Sequence, residues 1–184
     1  MAERSAHRTF ITRPFAWDDW RGLCLLNLAQ LAENGVILDP SEIPEHPQLV
    51  LEEEDEHGEW DLDHIEEVYL SGAGSFWLAW DGDIPIGRVG GQDVGGVIEL
   101  RRMYVRADFR RRGVGTALVR SLIAHSRAHG ARAIELWTGP EEANPRFYRT
   151  LGFRQTAGLG PEFGNAPALT RLTGTGEIRM RLDL

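Results

Sequence analysis

The sequence predicts a mixed α/β domain: a six- to seven-stranded, mostly antiparallel sheet with helices on both faces. Three observations lead there. Turn signals join several short β-rich runs in the middle of the chain, so those strands are hairpin-linked. A strand–helix–strand unit follows them, which makes the sheet mixed. The chain has 184 residues, 42% of them apolar and 26% charged, which is the size and composition of one globular domain spanning 1–184.

The elements follow in order. Residues 9–13 are β-branched and run into Pro14, a first strand. Asp18 is placed to cap a helix toward Leu31, with Leu23, Leu26, Leu28 and Leu31 along it and Asn34-Gly35 ending it. Residues 39–67 hold 13 acidic residues, no basic one and three prolines, an irregular charged excursion closing on a short helix near 63–70. Runs 76–80 and 84–89 flank Asp81-Gly82-Asp83, a hairpin signal. A Gly-rich turn over 90–96 leads to a long strand, 97–105. Gly113 opens a helix carrying Val114, Ala117, Leu118, Leu122 and Ala128, which stops at Gly130. Residues 133–138 form the next strand. Asn144-Pro145 reads as an N-cap and first-turn proline of a short helix to Leu151, closed by Gly152. Strands at 153–156 and 177–182 close the chain around a Gly/Pro-rich loop, 158–176. The order is β-α-α-β-β-β-α-β-α-β-β, with no internal repeat.

Composition excludes several chemistries. All 20 basic residues are arginine, so Schiff-base formation, a pyridoxal lysine and a Walker-type GK[ST] loop are ruled out. Cys24 is the one cysteine; it sits inside the first helix and reads as a buried, inert thiol. His46, His57 and His64 lie among carboxylates at spacings that match no tight zinc pattern, so no metal is expected. No apolar run reaches the roughly 18 residues of a membrane span. The N-terminal stretch is charged rather than signal-like, so a cytoplasmic location is expected. Charge is uneven: residues 1–70 carry a net −13 and residues 71–184 a net +5, within a total of −8. Opposite halves within one domain fit two ligand ends of opposite sign; solvated faces are the plain alternative.

The informative run is Glu99 to Thr116. A strand ends at Val105, a basic turn with Arg110, Arg111 and Arg112 follows, and Gly113, Val114 and Gly115 lead into a helix. First-turn N–H groups of a helix have no intrahelical partner and lie at its positive end, and glycines let a phosphate approach the backbone. The combination points to a diphosphate cradle over Arg111–Thr116. It is not a dinucleotide fingerprint, because Leu118 stands where GxGxxG requires its third glycine. Six arginines within 101–112 would also suit nucleic acid. The net −8 argues against that partner, and so does the placement of the cluster around a GxG turn rather than along a helix with interleaved aromatics.

Arg110-x-x-Gly113-x-Gly115 resembles the R/Q-x-x-G-x-G/A signature of the GNAT superfamily of acyl-CoA-dependent N-acetyltransferases. Asn144-Pro-Arg-Phe-Tyr148-Arg-Thr-Leu-Gly-Phe153 is similar to that family's second motif, N-x-x-x-[FL]-Y-x-x-x-G-F, in a shorter variant. The resemblance covers the order of elements, while the acidic stretch 39–60 has no counterpart. It implies a GNAT-like fold and transfer of an acetyl group from acetyl-CoA, a co-substrate, to an amine. It implies that the turn binds the coenzyme A pyrophosphate and that Met103, Tyr104 and Val105 hold the pantetheine through the backbone. Glu99, six residues before Val105, matches the general base of some members, with pairing to Arg101 or Arg102 as the other reading. Tyr148 matches the proton donor to the departing thiolate, with a packed aromatic as the other reading. Asn144 is both a helix cap and an implied pantetheine contact. The expected acceptor is a small-molecule or peptide amine, weakly favoured as cationic by the acidic N-terminal half. Neither nucleic acid nor membrane is expected as partner, and a homodimer is left open. A non-catalytic acyl-CoA-binding module of the same fold is the alternative function.

Overall fold

The computed structural model describes residues 10–35, 60–139, 143–156 and 178–184. Seven strands form one sheet in the order β1-β2-β3-β4-β5-β7-β6. They are β1 (Ile11–Pro14), β2 (Ser75–Asp81), β3 (Ile84–Val94), β4 (Val97–Val105), β5 (Ala133–Thr138), β6 (Arg154–Gln155) and β7 (Ile178–Asp183). Only β4 and β5 are parallel; the other neighbours are antiparallel. This is the mixed sheet the sequence predicts. Strands β4 and β5 occupy the predicted residues.

Helices α1 (Trp20–Glu33), α2 (Trp60–Asp63) and α3 (Ile65–Tyr69) cover one face. Their core gathers Trp20, Leu23, Leu26, Leu62, Ile65, Val68 and Tyr69 against Phe76, Leu78 and Tyr104. Helices α4 (Val114–Ala128) and α5 (Ala143–Thr150) take the other face. There Leu118, Leu122, Tyr148 and Phe153 pack against Ile86, Ile98, Leu100, Ile134 and Leu136. Alternation along each strand divides its residues between the two cores.

Three expectations are corrected. Residues 90–96 are not a turn: β3 runs to Val94, and the turn is confined to Gly95 and Gly96, both at positive φ. Gly90 and Gly91 serve close packing instead. A Cβ on Gly90 would lie 2.6 Å from the Tyr69 ring, and one on Gly91 would lie 2.5 Å from a Leu122 methyl. Helices thus press on the strand from both faces at one spot.

The start of α1 also differs. A 3-10 turn over Trp17–Asp19 precedes it, and Asp18 is exposed. Asp19 is buried instead, accepting the Ala16 N–H at 3.0 Å and a two-pronged bond from Arg13 on β1. Finally, α5 begins at Ala143, so Asn144 lies within its first turn rather than at its cap. The excursion before residue 60, with His46 and His57, and the loop 158–176 lie outside the described residues.

Candidate active site

Strands β4 and β5 pair only at Val97–Ala133, Ile98–Ile134 and Glu99–Glu135. Beyond Glu99, β4 continues to Val105 bonded to β3, while β5 continues to Thr138 bonded to β7. The strands therefore part, and backbone groups of β4 after Glu99 face the gap as an exposed strand edge does. An extended arm bearing amides can bond to such an edge.

A β-bulge bends β4 at this point. Arg102 and Met103 together oppose Val89 on β3, and Arg102 sits at φ 53°. That conformation costs a non-glycine residue about 1–3 kcal/mol. It is held by a buried carboxylate. Asp61 on α2 accepts from Arg102 Nε at 3.0 Å and from its Nη2, and the Tyr69 hydroxyl donates to the same carboxylate. Arg101 Nη2 stands farther off, 3.5 Å from Asp61, and its Nη1 donates to Gln92 Oε1 at 3.2 Å. Burial, then the Asp61 charge, pushes the Tyr69 pKa far up, so its hydroxyl remains a donor.

Alternation sorts the side chains around the gap. Ile98 and Leu100 face the core under α4, so Glu99 and Arg101 face the side of α2 and α3. Glu99 is half-buried at the point of parting, opposite Gln92 on β3. Glu135 on β5 is buried and bound by Arg179 and Arg181 of β7.

Past β4 comes the basic turn. Arg106 and Arg112 lie over the Phe109 ring, at 5.4 and 5.3 Å. Arg110 turns inward: its Nε donates to Val105 O at 2.8 Å and its Nη2 to Glu33 at the end of α1. Glu33 also accepts from the Tyr104 hydroxyl at 2.7 Å and the Ala107 N–H at 3.3 Å. Partial burial raises the Glu33 pKa, but the bonds from Tyr104 and Arg110 outweigh it and the net shift is downward. Burial and then the bond to Glu33 push Tyr104 up to about 12.

The Arg110 guanidinium therefore braces the turn. Arg111 and Arg112 are exposed beside the start of α4. Gly113 caps α4 at φ 86°, and among the described residues nothing beyond its own neighbours in the chain lies within 4 Å of where its Cβ would project. The first-turn N–H groups of Val114, Gly115 and Thr116 lie at the positive end of the helix dipole, where a helix has no internal acceptors for them. This fits an anion. Gly115 has a different task from Gly113: its Cβ would come within 3.0 Å of Met103 Cε and 3.4 Å of the Phe147 ring, so it brings α4, β4 and α5 together.

Tyr148 lies buried on α5, with ring centroids 5.0 Å from Phe147 and 5.6 Å from Phe153. Burial pushes its pKa up and keeps the hydroxyl protonated. Asn144 is exposed. Met103 and Val105 flank the α4 core, whereas Tyr104 points to α1. Asp61, Glu33, Gln92 and Glu135 were not singled out from sequence. A residue such as Asp61, one of many acids in its stretch, carries no local signal of burial. His64 Nδ1 lies 3.3 Å from Glu67, and no group of three or more metal-ligating side chains occurs among the described residues. Among those residues, no helix is long and apolar enough to cross a membrane.

The profile of the Acetyltransferase (GNAT) family matches residues 39–153, and so takes in the acidic stretch 39–60, for which the motifs alone offered no counterpart. An uncharacterized N-acetyltransferase of Methanocaldococcus jannaschii is 42% identical over 60 residues, 32% of this chain and 26% of that protein. Human N-acetyltransferase 8 is 31% identical over 104 residues, 52% of this chain and 46% of that protein. Human N-acetylaspartate synthetase is 34% identical over 99 residues, 51% of this chain and 32% of that protein. Each match spans less than half the length of these relatives. A GNAT-family acetyltransferase of Staphylococcus aureus Mu50 shares the fold at TM-score 0.69 and 18% identity, over 96% of this chain and 99% of that one. The PaiA N-acetyltransferase of Thermoplasma acidophilum, solved in complex with coenzyme A, does so at TM-score 0.63 and 14% identity, over 96% and 99%. Profile, relatives and architecture agree: this chain belongs to the GNAT acetyltransferase family.

Proposed function

We propose that the protein is an N-acetyltransferase that moves an acetyl group from acetyl-CoA to an amine by direct attack. The parting of β4 from β5, at the end of the sheet where α4 begins, carries the reading. An acyl-pantetheine arm fits the open edge of β4 at Met103, Tyr104 and Val105, and Asn144 stands as a further contact to it. Its diphosphate fits the amides from Arg111 to Thr116, with the guanidiniums of Arg111 and Arg112 beside it. Arg110 contributes by bracing the turn through Val105 and Glu33.

The candidate base and acid lie on opposite sides of the sheet. Glu99 faces α2 and α3, and Tyr148 packs in the core under α4. An arm threading the gap would pass its sulfur by one and present its carbonyl near the other. In this reading Glu99 takes a proton from the bound ammonium, directly or through water, and the freed lone pair attacks the carbonyl carbon, the nitrogen then giving its surplus proton to solvent. The C–S bond then breaks, and Tyr148 gives the thiolate its proton. Burial keeps the Tyr148 hydroxyl protonated before that step.

The net −13 of residues 1–70 favours a cationic acceptor. The arginine beside Glu99 favours an acceptor that also carries a carboxylate. The two readings meet in an amino acid, which bears both charges. The human relative named N-acetylaspartate synthetase is consistent with that class.

Thiol release from acetyl-CoA, followed across a panel of amines, tests the activity. Glu99→Gln is expected to depress kcat/KM most near neutral pH and less at high pH, where free amine is already present. A pH–rate profile parallel to the wild type at every pH removes Glu99 as the base. Coenzyme binding without thiol release for any acceptor would favour the non-catalytic module.

A further inference from the structure

Within the acetyltransferase reading, on which this inference rests, we propose that Arg101 binds a carboxylate of the acceptor. The substrate class is then a free amino acid, with its amine at Glu99 and its carboxylate at Arg101.

The argument starts from the unequal hold on two neighbouring arginines. Asp61 is already engaged by Arg102 through two nitrogens and by the Tyr69 hydroxyl. Arg101 reaches it only at 3.5 Å, beyond a good hydrogen bond. Its other contact is the Gln92 side chain at 3.2 Å, a neutral acceptor. A guanidinium has five N–H donors, so most of those on Arg101 are not committed to these two groups.

Position matters as much as valence. Gln92 is the direct cross-strand partner of Glu99. The Arg101 guanidinium is thus bonded to the side chain that stands across from Glu99. Residues 99 and 101 share one face, roughly 7 Å apart along the strand. A carboxylate and a guanidinium carried side by side on one face can meet the ammonium and carboxylate of one amino acid, each through a hydrogen bond. The Arg102 clamp fixes the backbone beside Arg101 and so fixes the direction from which the guanidinium is presented. Arginine suits the task because its planar fork meets a carboxylate with two parallel bonds. A carboxamide cannot supply that charge. A peptide N-terminus has no carboxylate at that distance and would be discriminated against for the same reason.

The test is a set of L-α-amino acids, each paired with its own carboxamide and its decarboxylated amine, assayed for thiol release from acetyl-CoA. In parallel, calorimetry with the CoA-saturated protein measures binding of the same compounds. For at least one amino acid, kcat/KM should exceed that of its carboxamide by about tenfold or more. In Arg101→Gln this ratio should fall close to one, mainly through a higher KM for the acid. Arg101→Lys, which keeps the charge but loses the fork, should restore part of it. Carboxamides or simple amines equalling the acids in every pair would overturn the inference while leaving acetyl transfer intact. So would a ratio that survives in Arg101→Gln. If no compound releases thiol, the acetyl-transfer reading fails and calorimetry decides alone: acid binding that is lost in Arg101→Gln supports the inference, and no preference for the acid overturns it.

Discussion

Arg102 and Arg111 are the same residue in the same strained conformation, at φ 53° and 63°, in two regions of one continuous segment. Arg102 sits in the bulge of β4, half-buried, with its guanidinium locked on Asp61. Arg111 stands exposed in the turn before α4. In the first region an internal carboxylate offsets the strain, and the arginine is part of the architecture. In the second the guanidinium is exposed, beside the turn proposed to take the coenzyme diphosphate. Where a carboxylate is buried, rather than where arginines cluster, decides which arginines are left to meet a ligand.

The largest expected effect breaks the first region. Asp61→Ala would leave Arg102 partly buried without its carboxylate, and stability should drop by about 3–5 kcal/mol in urea denaturation. A loss under about 1 kcal/mol would mean that Asp61 does not hold the bulge. Next in size is Tyr148→Phe, which removes a proton donor and leaves the packing. It should lower kcat by about 10²-fold with little change in acetyl-CoA affinity, and normal turnover would make Tyr148 a packing residue.

The second region is probed at its cap. Gly113→Val puts a branched side chain into the open space and at a φ that valine resists, and acetyl-CoA should bind more weakly by one to a few kcal/mol, on the order of one lost charge-assisted hydrogen bond. Unchanged affinity by calorimetry in a folded variant would move the diphosphate elsewhere. Arg111→Gly sharpens the contrast, because removing the strained side chain should raise stability by up to about 1 kcal/mol while weakening coenzyme binding. Arg102→Gly should instead destabilise, since it discards the clamp.

The smallest effect is a pH dependence. The Glu33 pKa is lowered from its ordinary 4.5, so its stabilising contribution is present above that value and is lost as pH falls through the folded pKa. Glu33→Gln should therefore cost a little stability at neutral pH and nothing near pH 2, as compared by thermal melts. A gap that persists in acid would assign the loss to shape rather than charge.

Much of the fold was legible because it is written locally. Strands β4 and β5 and helix α4 carry strong periodicity and glycine stops, and they appear close to where they were expected. Gly90 and Gly91 misled because a glycine pair reads as a turn, whereas here each serves a helix packing from a different face. Asp18 and Asp19 are equivalent as caps by composition, and only the position of Arg13 on β1 selects the second. The basic turn before α4 was readable as a motif. The separate tasks of Gly113 and Gly115 were not, since one depends on backbone conformation and the other on Met103 and Phe147. Asp61 was out of reach because its partners, Arg101 and Arg102, lie about forty residues away in sequence.

Every carboxylate clamp described around the gap closes on an arginine: Asp61 on Arg102, Glu33 on Arg110, Glu135 on Arg179 and Arg181. A guanidinium keeps its proton to beyond pH 12 or so, unlike a lysine. The tyrosines that complete two of these clamps are shifted the same way, Tyr104 from 10.0 to about 12. A raised folded pKa gives stability that is whole below the unfolded value and is withdrawn only as pH climbs toward the folded one. The stability that the two tyrosines contribute is thus whole up to their ordinary value of 10.0 and falls only above it. An amine that sheds its proton below about pH 10 does so before either clamp begins to loosen.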